Sequence, residues 1–232
     1  MEILWQGLVK AFNLLVSVDR EILNITLLTL KVSGTATLIS VLIGVPLGAF
    51  LALSVFTGRK IIVSIVNFGM GLPPVVVGLW VSIFLWRYGP LGFLGIIYTP
   101  TAIIIAQAII ATPIVTGFSI AAIQQLNPKI RIQIMALGAT WWQTVILLMR
   151  EARMGLLAAV MAGFGGVISE VGASTMVGGN IQGQTRVLTT ATVMEVSKGN
   201  FDVATAISLI LLALAFGITF ILTLVQQRRR AS

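Results

Sequence analysis

Four stretches of this chain, 32–58, 61–86, 88–128 and 203–227, contain no Asp, Glu, Lys or Arg. Each is long enough for a helix that crosses a hydrocarbon core of roughly 30 Å. With 57% hydrophobic and 9% charged residues among 232, and a mean hydropathy of +1.04, the chain lies outside the range of an ordinary water-soluble domain. A fifth crossing, about 154–172, is shorter and carries Glu170 near its end, but it is needed to bring the chain to the correct side for the last span. The expected fold class is therefore an all-α membrane protein with five transmembrane helices.

Before the first span, Leu4, Leu8, Phe12, Leu15 and Val18 recur at helical spacing, with Gln6, Lys10, Asn13 and Ser17 on the opposite face. That pattern fits an interfacial amphipathic helix over 1–20 with Trp5 at headgroup level; a short sixth crossing is the alternative, interrupted by Lys10. A secretory signal pattern is absent. Orientation follows from Lys and Arg in the short connections. With the C-terminal arginines of 228–232 inside, the inner side holds Arg59, Lys60, Lys129, Arg131, Arg150 and Arg153 against one acid, Glu151. The outer side holds Lys10, Arg20, Arg87, Arg186 and Lys198 against Glu2, Asp19, Glu21, Glu170, Glu195 and Asp202. The N-terminus is expected outside and the C-terminus in the cytoplasm. The net charge of +8 is thus mostly a topology signal, and no nucleic-acid partner is implied.

The chain has no Cys and no His, which removes disulfides, thiolate or imidazole metal sites and the usual nucleophile–base pairs. No Gly-Lys dipeptide occurs, so a phosphate-cradling nucleotidase loop is excluded; an ATP-driven process needs a partner that binds the ATP. No repeat of fixed period is evident, so two-fold architecture would require a second copy of the chain. No catalytic role, metal or cofactor is expected in this chain itself.

Between the apolar runs lies a basic interruption, Asn127 to Gly155. Asn127-Pro128 begins a helix in which Ile130, Ile134 and Leu137 form one apolar stripe and Gly138 ends it as a cap. A second short helix, Trp141 to Arg150, leads through Glu151 into the next span. Two helices exceed what a simple connection requires. They read either as a docking surface or as an interfacial re-entry with snorkelling arginines.

Ala136-Leu137-Gly138-Ala139-Thr140-Trp141-Trp142-Gln143 resembles the loop of type I ABC importer permeases that enters a groove on the ATPase subunit. In that family Glu-Ala-Ala usually stands six residues before the glycine and Leu-Pro twelve residues after it; here Ile132-Gln133-Ile134 and Arg150-Glu151 stand there. Gly163-Phe164-Gly165-Gly166-Val167-Ile168-Ser169-Glu170-Val171-Gly172-Ala173, continuing through Gly178-Gly179-Asn180 to Arg186, is similar to permeases for molybdate, tungstate and sulfate. Its Ile-Ser-Glu-Val-Gly form, together with Leu72-Pro73-Pro74 and Gly89-Pro90-Leu91-Gly92, resembles the tungstate group most. Gly166 departs from that group, where an arginine is common. The resemblance extends from about Asp19 to Leu212.

It implies a transmembrane domain over 21–227 with an ATPase-coupling segment at 127–153 carried by Ala136, Leu137, Gly138, Ala139, Thr140 and Glu151. It also implies an outer gate segment at 169–202. The implied assembly is two copies of this permease, two ATP-binding cassette subunits holding ATP and Mg, and an extracytoplasmic oxyanion-binding protein, all at a prokaryotic plasma membrane. Its lipid surrounds the spans. The implied cargo is tungstate, with molybdate or sulfate as the alternative, and a passive channel or a scaffold as rivals from other classes.

The residues themselves fit a translocation path or gate without requiring one. Pro73-Pro74 and Pro113 each remove a backbone donor within a span, which membranes tolerate where protein or a water cavity satisfies the freed carbonyls. Either path lining or close packing with Gly69, Gly71, Gly78 and Ala111 accounts for Pro113. Glu170 either reaches water or accepts N–H bonds from the glycine-rich segment near Gly172 to Thr175. Ser169, Gly172, Gly178, Gly179 and Asn180 complete the candidate gate. Gly178, Gly179, Asn180 and Thr185 could present amides and a hydroxyl to an oxyanion, or form a plain outer loop. Lys31 is either a snorkelling residue or a cation beside the path.

Overall fold

The computed structural model describes Val9 and residues 20–228. The interfacial helix expected over 1–20 therefore lies almost wholly outside the described residues, as does the basic tail beyond Arg228. Among the described residues the regular elements are all helical: α1 Arg20–Leu53, α2 Arg59–Met70, α3 Pro74–Leu85, α4 Pro100–Gln124, α5 Pro128–Ala136, α6 Trp141–Glu151, α7 Arg153–Ile168, α8 Gly172–Gly178, α9 Leu188–Ser197 and α10 Phe201–Arg228, with a 3-10 turn at Gly92–Leu94. Helices α1, α4 and α10 are each long and apolar enough to cross a membrane alone. The bent pairs α2–α3 and α7–α8 raise the number to five if each pair is one span.

The run 61–86 is not one helix. It divides into α2 and α3, which meet at 100°. The cause is local: a residue before proline is driven out of the helical region. Pro73, which precedes Pro74, accordingly sits at φ −61° and ψ 123°, and Pro74 starts α3 at its first position, where a missing N–H costs nothing. The fifth run also divides, with α7 and α8 bent by 58° across Ser169–Val171. Pro113, by contrast, does not break its helix, since α4 runs unbroken from Pro100 to Gln124. A Cβ on Gly69 would lie 2.8 Å from Pro113 Cβ, so α2 packs directly on the proline. Of the two readings of Pro113, close packing is the one this contact supports. The run 88–128 enters its helix only at Pro100, and the first span begins at Arg20, placing Lys31 inside α1 with an exposed side chain.

Close approach of small residues holds the bundle together, as is usual where lipid removes the hydrophobic contrast between helices. On α1, Gly44 faces Val115 at 3.0 Å and Gly48 faces Ser119 at 2.6 Å from the position of an added Cβ. Ser40 Oγ lies 3.2 Å from the carbonyl oxygen of Ala108. Helix α7 meets α4 the same way, Gly155 on Ala122 and Gly163 on Val115. One end of the bundle is sealed by Ala49, Leu53, Ile123, Val145, Leu148 and Ala152, and the other by Ile25, Leu188, Ala191, Ile207 and Ile210.

Candidate functional site

The α5–α6 hairpin is built by caps at every turn. The Asn127 side chain accepts from Lys129 N at 3.0 Å and starts α5. Gly138 takes φ +82°, the left-handed conformation that ends a helix and that residues with a Cβ adopt at a cost. Thr140 and Gln143 then form a reciprocal capping box: Thr140 N donates to Gln143 Oε1 at 2.8 Å, and Gln143 N approaches Thr140 Oγ1 at 3.4 Å. Ile130 and Ile134 pack against the core that includes Leu53 and Val145. Leu137 does not join them. It is 88% exposed, because the chain has already left the helix to enter the Gly138 turn.

The result is a hairpin whose tip is apolar and open. Ala136, Leu137, Gly138 and Thr140 are exposed, Ala139 is half-buried, and Ile132 and Trp142 stand out on either side, Trp142 edge-on to Trp141 at 4.6 Å. Glu151 is exposed at the last position of α6. The same end gathers the other basic positions. Arg59 Nε donates to the Leu51 carbonyl at 2.6 Å, joining the end of α1 to the start of α2, and Gln226 Nε2 donates to the Met154 carbonyl at 3.1 Å.

At the opposite end lies the α7–α8 break. Glu170 is 7% exposed, so it does not reach water in this state. Its carboxylate accepts from Ala173 N at 2.8 Å, and its carbonyl accepts from Thr189 Oγ1 at 2.9 Å. Ser169 is exposed, with its hydroxyl donating back to the Gly165 carbonyl at 2.8 Å. Helix α8 is clamped to α3, since a Cβ on Gly172 would lie 2.6 Å from Val75 and one on Gly78 would lie 2.6 Å from Ala173 Cα. The structure thus brings Pro73-Pro74, Glu170 and Gly172 into one neighbourhood and leaves Pro113 against α2.

Gly178, Gly179 and Asn180 form a closed turn. Thr185 Oγ1 donates to the Gly178 carbonyl at 2.5 Å and accepts from Ile181 N at 2.9 Å, so that hydroxyl is committed within the chain and does not serve an anion nest. Asn180 Oδ1 accepts from Thr190 Oγ1 at 2.8 Å, and Tyr98 N donates to the Val177 carbonyl at 2.9 Å. Glu21 holds both Gln182 Nε2 at 2.8 Å and Arg186 at 3.2 Å. The segment 169–202 is more ordered than a loop: α9 begins with Leu188 N donating to Thr29 Oγ1 at 2.9 Å. It ends where Lys198 and Asn200 each donate to Glu195 at 2.8 Å. Those two hydrogen bonds, Lys198 first, hold the Glu195 carboxyl below the usual carboxylate range.

Two residues outside the sequence-derived candidates also meet at the break. Thr189 carries no distinctive pattern in the sequence. Gln107 does have one: it is an amide deep inside the uncharged run 88–128. It is 2% exposed, and its Nε2 donates to the Val167 carbonyl and to Ser174 Oγ, each at 3.2 Å. Its Oε1 has no partner, a buried omission that ordinarily costs about 1–3 kcal/mol.

The family described as binding-protein-dependent transport system inner membrane component matches residues 44–231. The chain is 40% identical to the tungstate uptake system permease protein TupB of Peptoclostridium acidaminophilum, over 98% of this chain and 100% of the relative. It is 33% identical to the protein of the same description from Campylobacter jejuni subsp. jejuni serotype O:2, over 95% of this chain and 92% of that one. Among solved structures, an inward-facing form of the MetNI methionine ABC transporter superposes with a TM-score of 0.75, covering 93% of this chain and 97% of that chain at 20% identity.

Proposed function

The chain belongs to the binding-protein-dependent transport system inner membrane components, and from that premise we propose that it is the membrane-spanning permease subunit of an ATP-driven tungstate importer. The observation that carries the reading is the α5–α6 hairpin. Its fold is fixed by Asn127, Gly138, Thr140 and Gln143, yet its tip of Ala136, Leu137, Ala139 and Thr140 offers apolar surface to solvent at the basic end of the bundle. A passive channel has no use for such a surface, and an ATPase subunit fits it. Tungstate as cargo is supported by two relatives of that description at 40% and 33% identity.

In this reading two copies of the chain form the path, two ATP-binding cassette subunits with ATP and Mg sit below, and an extracytoplasmic binding protein delivers the oxyanion above. The basic end faces the cytoplasm, and the end with Glu21, Arg186 and Lys198 faces outward. Motion of the ATPase subunits passes through the Gly138 hairpin and Glu151 to α4 and α7 as rigid-body displacement, opening the path alternately to each side. The chain neither binds nor hydrolyses ATP. At the outer end, Pro73, Pro74, Ser169, Glu170, Gly172, Gly178, Gly179 and Asn180 act as a gate, with Glu170 supporting its geometry. A carboxylate is a poor ligand for an anion, and its acceptor is already engaged by Ala173 N.

The test is reconstitution of the permease with its ATPase and binding protein in vesicles. Tungstate uptake is expected to require ATP and the binding protein, with an excess of sulfate competing weakly. Gly138→Trp, where an added Cβ meets nothing within 4 Å and the φ of +82° strains the tip locally, is expected to leave insertion and ATP hydrolysis intact while abolishing uptake. ATP-independent flux, or normal coupled uptake in Gly138→Trp, overturns the reading.

A further inference from the structure

Gln107 bridges the two halves of the broken span, since Val167 belongs to α7 and Ser174 to α8. Around it on α4, Ile103, Ala106, Ile110 and Ala111 are all buried. An amide that leaves its own oxygen unpaired in such surroundings is a poor choice for packing alone, and breaches of local packing rules concentrate where a protein works. Its two partners are chemically unequal. The Val167 carbonyl only accepts, so it holds the amide with Nε2 inward; the Ser174 hydroxyl both donates and accepts, so it is satisfied by either orientation of the amide.

We propose that Gln107 is the positioning residue of the outer gate, a two-position latch that locks α7 to α4 in this state and releases α7 while keeping α8 in place. A shift of about 0.5 Å or more at Val167 takes its carbonyl beyond hydrogen-bond reach of Nε2. The amide, released from α7, either keeps Ser174 through Nε2 or turns over so that Oε1 accepts from the Ser174 hydroxyl, which exchanges an unpaired Oε1 for an unpaired Nε2. Helix α8 stays with α3 and α4, held by Ala173 on Gly78 and by Tyr98 N on the Val177 carbonyl. The hinge is the Ser169–Val171 break. The proposal rests on the reading of the chain as an alternating-access permease.

The chain contains no cysteine, so spin labels at Gly165→Cys on α7 and Thr175→Cys on α8, both exposed, report the bend directly in the reconstituted transporter. With labelled chains diluted among unlabelled ones so that one copy per assembly carries the pair, the otherwise unaltered permease is expected to show one resting distance that shifts when ATP is trapped. Gln107→Met, of similar length but without hydrogen-bonding groups, is expected to populate the shifted distance at rest and to raise ATP hydrolysis without binding protein by about tenfold. Gln107→Leu serves if the methionine variant does not assemble. Ser174→Ala keeps the Val167 bond and is expected to retain the single resting distance. The latch is overturned if Gln107→Met keeps the unaltered distance and unstimulated hydrolysis, or if Ser174→Ala reproduces the Gln107→Met effect. Labels that move with ATP in a complex that takes up no tungstate overturn the cargo and leave the latch standing.

Discussion

The carboxylate of Glu170 accepts a hydrogen bond from the N–H of Ala173 at 2.8 Å, and both residues are buried. That N–H is one of the first-turn donors of α8 that no carbonyl of its own helix can satisfy. Glu170→Gln keeps an acceptor in place and is expected to be mild, whereas Glu170→Leu leaves Ala173 N unsatisfied at a cost of about 1–3 kcal/mol. Thermal unfolding of the solubilised permease checks this: the leucine variant should melt a few degrees below the glutamine one. Equal midpoints would show that the side chain does not cap α8.

Gly78 and Gly34 offer a paired comparison. An added Cβ at Gly78 lies 2.6 Å from Ala173 Cα, a backbone atom that cannot step aside, while one at Gly34 meets nothing within 4 Å. Gly78→Ala is therefore expected to destabilise by about 1–3 kcal/mol through forced separation of α3 from α8. Gly34→Ala, within the same kind of helical backbone, is expected to be neutral or to stabilise by about 0.5–1 kcal/mol. Denaturation in mixed micelles, with uptake measured alongside, distinguishes the two; equal tolerance would contradict the α3–α8 contact.

What was legible in the sequence was what local chemistry decides. Uncharged runs located the spans, Pro73-Pro74 located a break, and Asn127 and Gly138 marked the two ends of the first hairpin helix, each through its own backbone or capping preference. The 100° angle between α2 and α3 was not legible: Pro73-Pro74 marks where the chain leaves the helix but not the direction in which α3 departs. Helix α8 was hidden in Gly172–Gly178, whose small residues and flanking glycines read as loop and become helical against α3 and α4. At Pro113 the sequence left path lining and close packing both open; the helix runs on through it, with the packing of α2 and α7 on α4 set against the loss of one hydrogen bond. Gln107 stands out in the sequence as an amide in an uncharged run, but its partner at Val167, like the partner of Thr189 at Glu170, lies 60 and 19 residues away respectively, beyond the reach of any local pattern.

Glu195 ties the end of α9 to the start of α10 by accepting from Lys198 and Asn200, and these bonds lower its pKa in the folded chain. A carboxyl lowered on folding contributes stability that is complete above its unfolded value, about 4.3, and that is lost as pH falls through the lower folded value. Hydrogen exchange at Gly199 and Asn200 is therefore expected to accelerate, beyond its intrinsic pH dependence, as pH drops below about 4.3. Glu195→Gln should remove that extra dependence. Its persistence in the variant would assign the acid response to another group.

The two ends of the bundle differ in charge, and single cysteines read out which faces the cytoplasm. Leu137, 88% exposed at the hairpin tip, lies at the end carrying Lys129, Arg131, Arg150 and Arg153; Ser197 is exposed at the end carrying Glu21 and Glu195. Because basic residues in short connections are retained inside, a membrane-impermeant maleimide is expected to label Ser197→Cys in intact cells and Leu137→Cys only in inverted vesicles. Stripped inverted vesicles sharpen the prediction further. Adding back the ATPase subunit should slow labelling of Leu137→Cys and leave Ser197→Cys in intact cells unaffected. Labelling of Leu137→Cys from outside reverses the orientation and removes the hairpin from the ATPase, whereas labelling from inside without protection keeps the orientation and places the ATPase contact elsewhere.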